Sequence, residues 1–139
     1  IKEDIGASLD GAGCYRRREE AVAAVVPEFR PGDKFKIVLS ELDPNNPFRV
    51  FHVVVRLADG REVKARLPID AYQTIVAATN FKQRVRKMME YYHADRLRFA
   101  VIGTPNRLEF DQGFFVKGGD GLADVKPIAH LYKTQVYRL

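Results

Sequence analysis

Basic side chains are the residues whose type and spacing most clearly suggest a chemical role in this sequence. Two of them alternate along a predicted strand, and the others follow one another on a predicted helix. The set consists of Lys64, Arg66, Lys82, Arg84, Arg86 and Lys87. Cations in such rows can contact successive phosphates, with an affinity that falls steeply as salt rises. The spacing therefore predicts a nucleic-acid-binding surface; the alternative is that each row is the solvated face of its element.

A second group of cations lies on the predicted outer face of a β-hairpin and of the strand before it, namely Lys34, Lys36, Arg49, Arg56, Lys64 and Arg66. Phe48 and His52 fall among these cations and could stack on bases. A sheet face that combines cations with rings is typical of proteins that bind single-stranded nucleic acid. The alternative is an ordinary polar face on which Arg56 pairs with Glu62 across the strands.

The histidines do not form a recognisable catalytic pattern. His52, His93 and His130 fall in different predicted elements, and His93 has carboxylates close by at Glu90 and Asp95. Neither the spacing Gly-x-Ser-x-Gly nor the spacing His-Glu-x-x-His occurs. We therefore predict no catalytic residue, no metal site and no cofactor, and we favour a non-enzymatic interpretation.

A glycine-rich stretch at residues 117–121 shares only its glycines with phosphate-binding loops. It lacks the Gly-Lys-Ser/Thr ending of such loops, and no clear helical pattern follows it. We predict that it is a flexible hairpin connection.

Composition narrows the class of protein. The chain has 139 residues, 23 basic against 18 acidic side chains, a net charge of +5 and one cysteine. A single thiol excludes a disulfide within the chain and a zinc site built from cysteines. No apolar run approaches the roughly 18 residues of a membrane span, and no secretory signal pattern precedes Ile5. We expect a cytoplasmic or intracellular protein with no membrane partner.

Local patterns predict the elements that position these residues within a single domain, residues 1–139. Residues 1–14 read as a flexible arm, a helix follows, and residues 34–69 read as a strand plus a β-hairpin. A hairpin loop of three residues, with Gly60 in a left-handed conformation, pairs Val55 with Val63 and Val53 with Ala65. A loop of two residues would instead mix apolar and charged side chains on one face.

Residues 70–93 read as a kinked helical segment. Its apolar stripe is rotated after Asn80, and Asn80 and Gln83 have the spacing of a capping box, so we predict a break near Asn80. Residues 96–139 read as further strands, which we place at 96–102, 107–110, 114–116 and 128–139. The predicted fold class is α+β: a strongly bent antiparallel sheet or small open β-barrel of about six or seven strands, with about three helices packed at one side.

These observations lead to a hypothesis about function. We interpret the chain as a non-enzymatic nucleic-acid-binding domain that uses a basic surface for phosphate contacts within a larger assembly, with DNA and RNA both open and single strands favoured. A first alternative is a structural or scaffolding subunit of a virion or another multi-protein particle, whose partners are copies of itself or other subunits. A second is a small metal-independent nuclease or hydrolase that uses His93 or His130.

Overall fold

A computed structural model describes residues 1–40 and 49–139 of the chain. The predicted stacking residue Phe48 lies outside the described residues. In chain order the elements are α1 (Gly6–Gly11), α2 (Cys14–Ala23), β1 (Lys34–Leu39), β2 (Phe51–Arg56), β3 (Glu62–Arg66), α3 (Ile69–Thr79), α4 (Phe81–Leu97), α5 (Arg107–Asp111) and α6 (Lys133–Val136). They fall into two compact units. The sheet unit is Gly13–Thr79, and the helical unit combines Ile1–Ala12 with Asn80–Leu139.

The sheet unit is built on a three-stranded antiparallel sheet in the order β1-β2-β3. Val53 pairs with Ala65 and Val55 with Val63, which confirms the predicted hairpin register. Gly60 has a φ of 88°, so the turn uses the left-handed conformation that glycine adopts without steric cost. Since side chains alternate between the two faces of a strand, Val53 and Val55 of β2 point to the same side.

The core of the sheet unit lies between the inner face of the sheet and helices α2 and α3. Val53 and Val55 are fully buried there with Val22 of α2 and Ile75 of α3. Burying a side chain of this size contributes about 1.5–3 kcal/mol. The inner face therefore supplies the stability, and the outer face is free to carry polar groups.

Cys14 is buried at the first position of α2. Its thiol donates a hydrogen bond of 3.1 Å to the main-chain carbonyl of Ala78 in α3. The pair joins the two helices that cover the sheet.

Helices α3 and α4 are separated at Asn80, which confirms the predicted break. The Asn80 side chain makes no capping hydrogen bond, so the predicted box with Gln83 does not form. In the helical unit, α1 packs against α4. The first residues of the chain, predicted as an arm, thus contain a helix of six residues.

The predicted fold class is wrong in its architecture. The described residues contain three strands, not six or seven; their sheet is open and forms no barrel, and they hold six helices instead of about three. Arg107–Asp111 and Lys133–Val136 are helices, and Ile102 forms only an isolated bridge with Val125. The segment 107–110 alternates charged and apolar residues, and four residues are too few to tell a strand from a helical turn by periodicity, so the helix start at Asn106 decides between them.

Among the described residues, no helix is both long enough and apolar enough to cross a membrane.

Candidate active site

A polar cleft of about 360 Å³ lies in the helical unit, between α4 and two loops that follow it. We call it the α4 cleft. Its lining residues are Gln83, Arg86, Lys87, Glu90, Ile102, Thr104 and Asp120. A concave site with several converging polar groups is the usual form of a small-molecule site.

One face of α4 forms the wall of the cleft. Positions 83, 86, 87 and 90 recur at helical spacing, so their side chains project to the same side. Lys87 is the most deeply placed of them, with only 6% of its surface exposed. Its ammonium group is ion-paired with the carboxylate of Glu90, which is half exposed. A buried charge needs such a partner because leaving water costs several kcal/mol per ion.

The glycine loop, residues 117–121, is fixed to α4. A Cβ atom on Gly119 would lie 2.8 Å from Cβ of Gln83, so only glycine allows this approach. Arg84 donates from Nε to the carbonyl of Lys117 at 3.0 Å. Asp120 closes the loop by accepting the Val116 main-chain N–H at 2.8 Å. The loop is therefore held by packing and hydrogen bonds, and the predicted flexible hairpin connection is wrong.

Thr104 stands in a turn that is tied to the segment after the glycine loop. Gly103 donates its N–H to the carbonyl of Val125 at 2.7 Å. The Asp124 carboxylate accepts from the Val101 N–H at 2.8 Å and from the Tyr91 hydroxyl at 3.1 Å. Both bonds anchor the turn against α4, so the Thr104 side chain is presented at a defined place on the cleft rim.

Helix α5 begins directly after this turn. Asn106 accepts hydrogen bonds from the N–H groups of Leu108 and Glu109, and the Glu109 carboxylate accepts the Asn106 N–H at 2.9 Å. This capping box satisfies main-chain donors that the first turn of a helix leaves free.

Tyr91 is held in its protonated form. Partial removal from water raises the pKa of Tyr91 above its ordinary value, and the hydrogen bond to Asp124 raises it further. The hydroxyl therefore stays a donor, as the anchor to Asp124 requires.

Arg86 is the lining cation of the α4 cleft that has no ion pair among the described residues, and Asp120 is the lining carboxylate that has none. Lys87 is neutralised by Glu90, and Asp120 is occupied by a main-chain donor. Arg86 is exposed where it lines the cleft, and within the described ranges its side chain has no ion pair and no hydrogen bond. A free guanidinium in a polar cleft suits a carboxylate or phosphate, which it can bind with two parallel hydrogen bonds.

His93 is used to hold the start of the chain. Its Nε2 lies 2.8 Å from Oε1 of Glu3, and its Nδ1 lies 3.4 Å from a guanidinium nitrogen of Arg96. Both ring nitrogens therefore have polar partners, and the contact with Glu3 connects the first residues of the chain to α4. In the parts of the chain that are described, no group of three His, Cys, Asp or Glu side chains could hold a metal ion.

The six predicted nucleic-acid-binding residues fall in both units. Lys64 and Arg66 are exposed on β3 of the sheet unit, whereas Lys82, Arg84, Arg86 and Lys87 belong to α4. Arg86 and Lys87 line the α4 cleft, and Arg84 holds the glycine loop.

Thr104 and Asp120 were missed by sequence reasoning. The sequence predicted a turn at Thr104 between two strands. The Asn106 and Glu109 spacing is a helix-start signal, and it would have predicted that this turn leads into a helix.

Comparison with known proteins identifies the family to which this chain belongs. The model of the NAD synthase family matches residues 52–139, well over half of the chain. The chain therefore belongs to the NAD synthase family. The match includes β2 after its first residue, β3, α3 and the whole of the segment that forms the α4 cleft.

Individual relatives extend the similarity to the complete chain. The NH(3)-dependent NAD(+) synthetase of Rhizobium meliloti is 57% identical over 139 residues, which is 100% of this chain and 42% of that protein. The protein of the same name from Mesorhizobium japonicum is 56% identical over 139 residues, or 44% of its length. The one from Thermotoga maritima is 45% identical over 64 residues, or 46% of this chain and 23% of that protein. The chain spans about two fifths of the length of the two relatives that it matches throughout.

This membership overturns the functional hypothesis drawn from composition. A family named for NAD synthesis is neither a family of nucleic-acid-binding domains nor one of virion or scaffold subunits, so both interpretations are wrong. The nuclease alternative and nucleic acid as the partner are wrong for the same reason. The error arose because basic side chains bind any phosphate-bearing molecule, and net charge does not tell a nucleotide from a polymer of nucleotides.

Proposed function

We propose that this chain is part of an ammonia-dependent NAD+ synthetase and contributes the α4 cleft to its substrate site. One observation carries the proposal. All 139 residues of this chain align with a protein of that name, and 57% of them are identical. The lining of the cleft agrees with it, since a concave polar site with a free guanidinium is suited to small anionic substrates.

The chemistry of the product defines the substrates. NAD+ carries a carboxamide, and a synthetase that uses ammonia must form the carbon–nitrogen bond of that group. A carboxylate has no leaving group that ammonia can displace. One of its oxygens must therefore first attack a phosphorus of a phosphoanhydride, which releases the distal phosphate group and leaves a mixed anhydride. Ammonia then attacks the carbonyl carbon of that anhydride and displaces its phosphate-bearing oxygen. We therefore take the substrates to be the carboxylate analogue of NAD+, ammonia and ATP, which supplies the leaving group. The two nucleotides are polyanions.

Within the cleft we assign anion binding to Arg86. Its guanidinium is the one lining cation without a partner among the described residues. Lys87 and Glu90 keep that part of α4 polar and fixed, and Thr104 offers a hydroxyl on the opposite rim. Because NAD+ synthesis draws on a pool of free nucleotides, we place the protein in the cytoplasm.

A segment exchange tests the proposal. This chain is substituted for the matching segment of the Rhizobium meliloti synthetase, and NAD+ formation from the carboxylate precursor, ammonia and ATP is measured. We expect activity within about tenfold of the parent enzyme, because more than half of the exchanged residues are identical. A hybrid that folds, as judged by its thermal transition, but forms no NAD+ contradicts the proposal.

The role of Arg86 is tested in the same hybrid. Arg86→Ala removes a charge-assisted contact, so we expect kcat/KM to fall by about 10–100-fold, with most of the change in KM. Arg138→Ala serves as the matched control, because Arg138 is exposed and does not line the cleft. Equal activity of both variants would show that Arg86 does not bind substrate.

A further inference from the structure

The outer face of the three-stranded sheet is a second charged surface, on the sheet unit. The strand register places three cross-strand rows there: Lys34, Arg56 and Glu62; Lys36, Val54 and Lys64; Val38, His52 and Arg66. We call Lys34, Lys36, Arg56, Lys64 and Arg66 the basic face. All five cations are exposed, and Glu62 is the one carboxylate in the grid.

Most of this charge is uncompensated. Arg56 is paired with Glu62 at 2.8 Å. The other four cations have no ion-pair partner among the described residues. Lys34 even lies directly opposite Arg56, an arrangement of like charges that destabilises a sheet. The core needs none of these side chains, because it is formed by the opposite face of the same strands.

Strand β1 lies at the edge of the sheet, and among the described residues no strand lies on its outer side. Ser40 donates its N–H to the carbonyl of Val50 at 2.9 Å, which identifies these two residues as a hydrogen-bonded pair. Hydrogen-bonded pairs alternate along an antiparallel ladder, so Lys34, Lys36 and Val38 bond to β2. Phe35, Ile37 and Leu39 therefore direct their main-chain groups away from β2. Within the described residues no other strand pairs with β1.

Part of the basic face precedes the segment that the family model matches. The family match begins at residue 52, so β1 with Lys34 and Lys36 precedes it. The α4 cleft belongs to the helical unit and contains none of these residues. The basic face is thus a different surface from the α4 cleft to which we assign substrate binding.

From these features we propose that an acidic segment of a partner protein binds here as a fourth strand beside β1. Side chains on one face of a strand repeat about every 6.8 Å, which is also the spacing of Lys34 and Lys36 along β1. Alternating carboxylates on an added strand would therefore meet these two lysines while its main chain bonds to Phe35 and Ile37. The aromatic rings of Phe35 and Phe51 belong to the inner face, so among the described residues the basic face offers no phenylalanine ring on which a base could stack.

Binding of a model peptide tests the proposal. The probe is a short labelled peptide in which glutamate alternates with threonine, and its matched control has glutamine in place of glutamate. Fluorescence anisotropy with all 139 residues of the chain is expected to show that the glutamate peptide binds at low salt. The control peptide should bind at least about tenfold more weakly, and high salt should weaken binding of the glutamate peptide by a similar factor. Amide exchange at Phe35 and Ile37 is expected to slow when the glutamate peptide binds.

Charge reversal locates the site. Lys34→Glu with Lys36→Glu should weaken binding by about tenfold or more. Lys2→Glu with Arg138→Glu makes the same change in net charge on the helical unit and should leave binding within about twofold. Equal affinity for both peptides, unchanged exchange at Phe35 and Ile37, or tighter binding of an oligonucleotide or of phosphatidylserine vesicles would each overturn the proposal.

Discussion

At the scale of the residue, Lys87 shows how one buried charge can be maintained beside a solvent-filled cleft. The ammonium is almost entirely covered, and Glu90 reaches it from the more exposed side. Such a pair contributes little net stability, because desolvation offsets most of the attraction. Its consequence is geometrical: it holds the Lys87 ammonium along α4, on the side that lines the cleft.

We predict that the two partners respond differently to substitution. Lys87→Met keeps the length of the side chain and removes the charge, so the free energy of unfolding should change by less than about 1 kcal/mol. Glu90→Gln leaves a buried ammonium without its carboxylate and should cost about 1–3 kcal/mol. Urea unfolding of both variants measures the difference. A larger loss in Lys87→Met would contradict this account of the pair.

Gly119 is the second residue on which the cleft depends. Because an added methyl would meet Gln83 and Val116 within about 3 Å, we expect Gly119→Ala to destabilise the helical unit by about 1–3 kcal/mol, as overpacking does. Gly11→Ala is the matched control, since nothing lies within 4 Å of its added carbon. Thermal unfolding should separate the two variants, and equal transition temperatures would show that the glycine loop does not pack on α4.

At the scale of the element, the hairpin could be predicted from the sequence whereas the segment after α4 could not. Pairing Val53 with Ala65 is the register that sets Val53 and Val55 against apolar partners on the buried face, so the apolar alternation and Gly60 were sufficient. The segment 101–126 has no such period. Its turns are held by long-range hydrogen bonds, such as those that the Asp124 carboxylate accepts from Val101 and Tyr91. A pattern of neighbouring residues in the sequence does not predict such bonds.

The hairpin turn provides a test of electrostatics. The Arg61 main-chain N–H, and then its guanidinium, hold the pKa of Asp59 below its ordinary value of about 3.9. A lowered folded pKa means that Asp59 stabilises the fold above its unfolded pKa, and that this contribution is lost as pH falls through the folded pKa. NMR titration should place the midpoint of Asp59 below about 3.9.

Arg61→Gln is the informative variant in this titration. It removes the guanidinium but keeps the main-chain N–H, which has the largest effect, so the midpoint should return only part of the way. A midpoint at the ordinary value in the unsubstituted chain would show that the turn does not form as described.

At the scale of the whole molecule, net charge was a poor guide because it sums over two units that use their cations differently. The sheet unit displays them on a flat face, while α4 places Arg86 and Lys87 in a cleft and uses Arg84 to hold a loop. A count of Lys and Arg cannot separate these uses, since each depends on which neighbours the fold supplies. Of the candidate site, sequence reasoning reached the cations of α4 and missed the polar groups of the loops that face them.

The thiol of Cys14 has a practical consequence. The chain contains one cysteine, and in the folded state its sulfur is sealed between two helices. Any alkylating reagent that labels the protein must therefore have met a molecule in which α2 has parted from α3. The rate of labelling would therefore measure how often α2 and α3 separate locally. Cys14 can serve as the probe of this opening without any engineered cysteine.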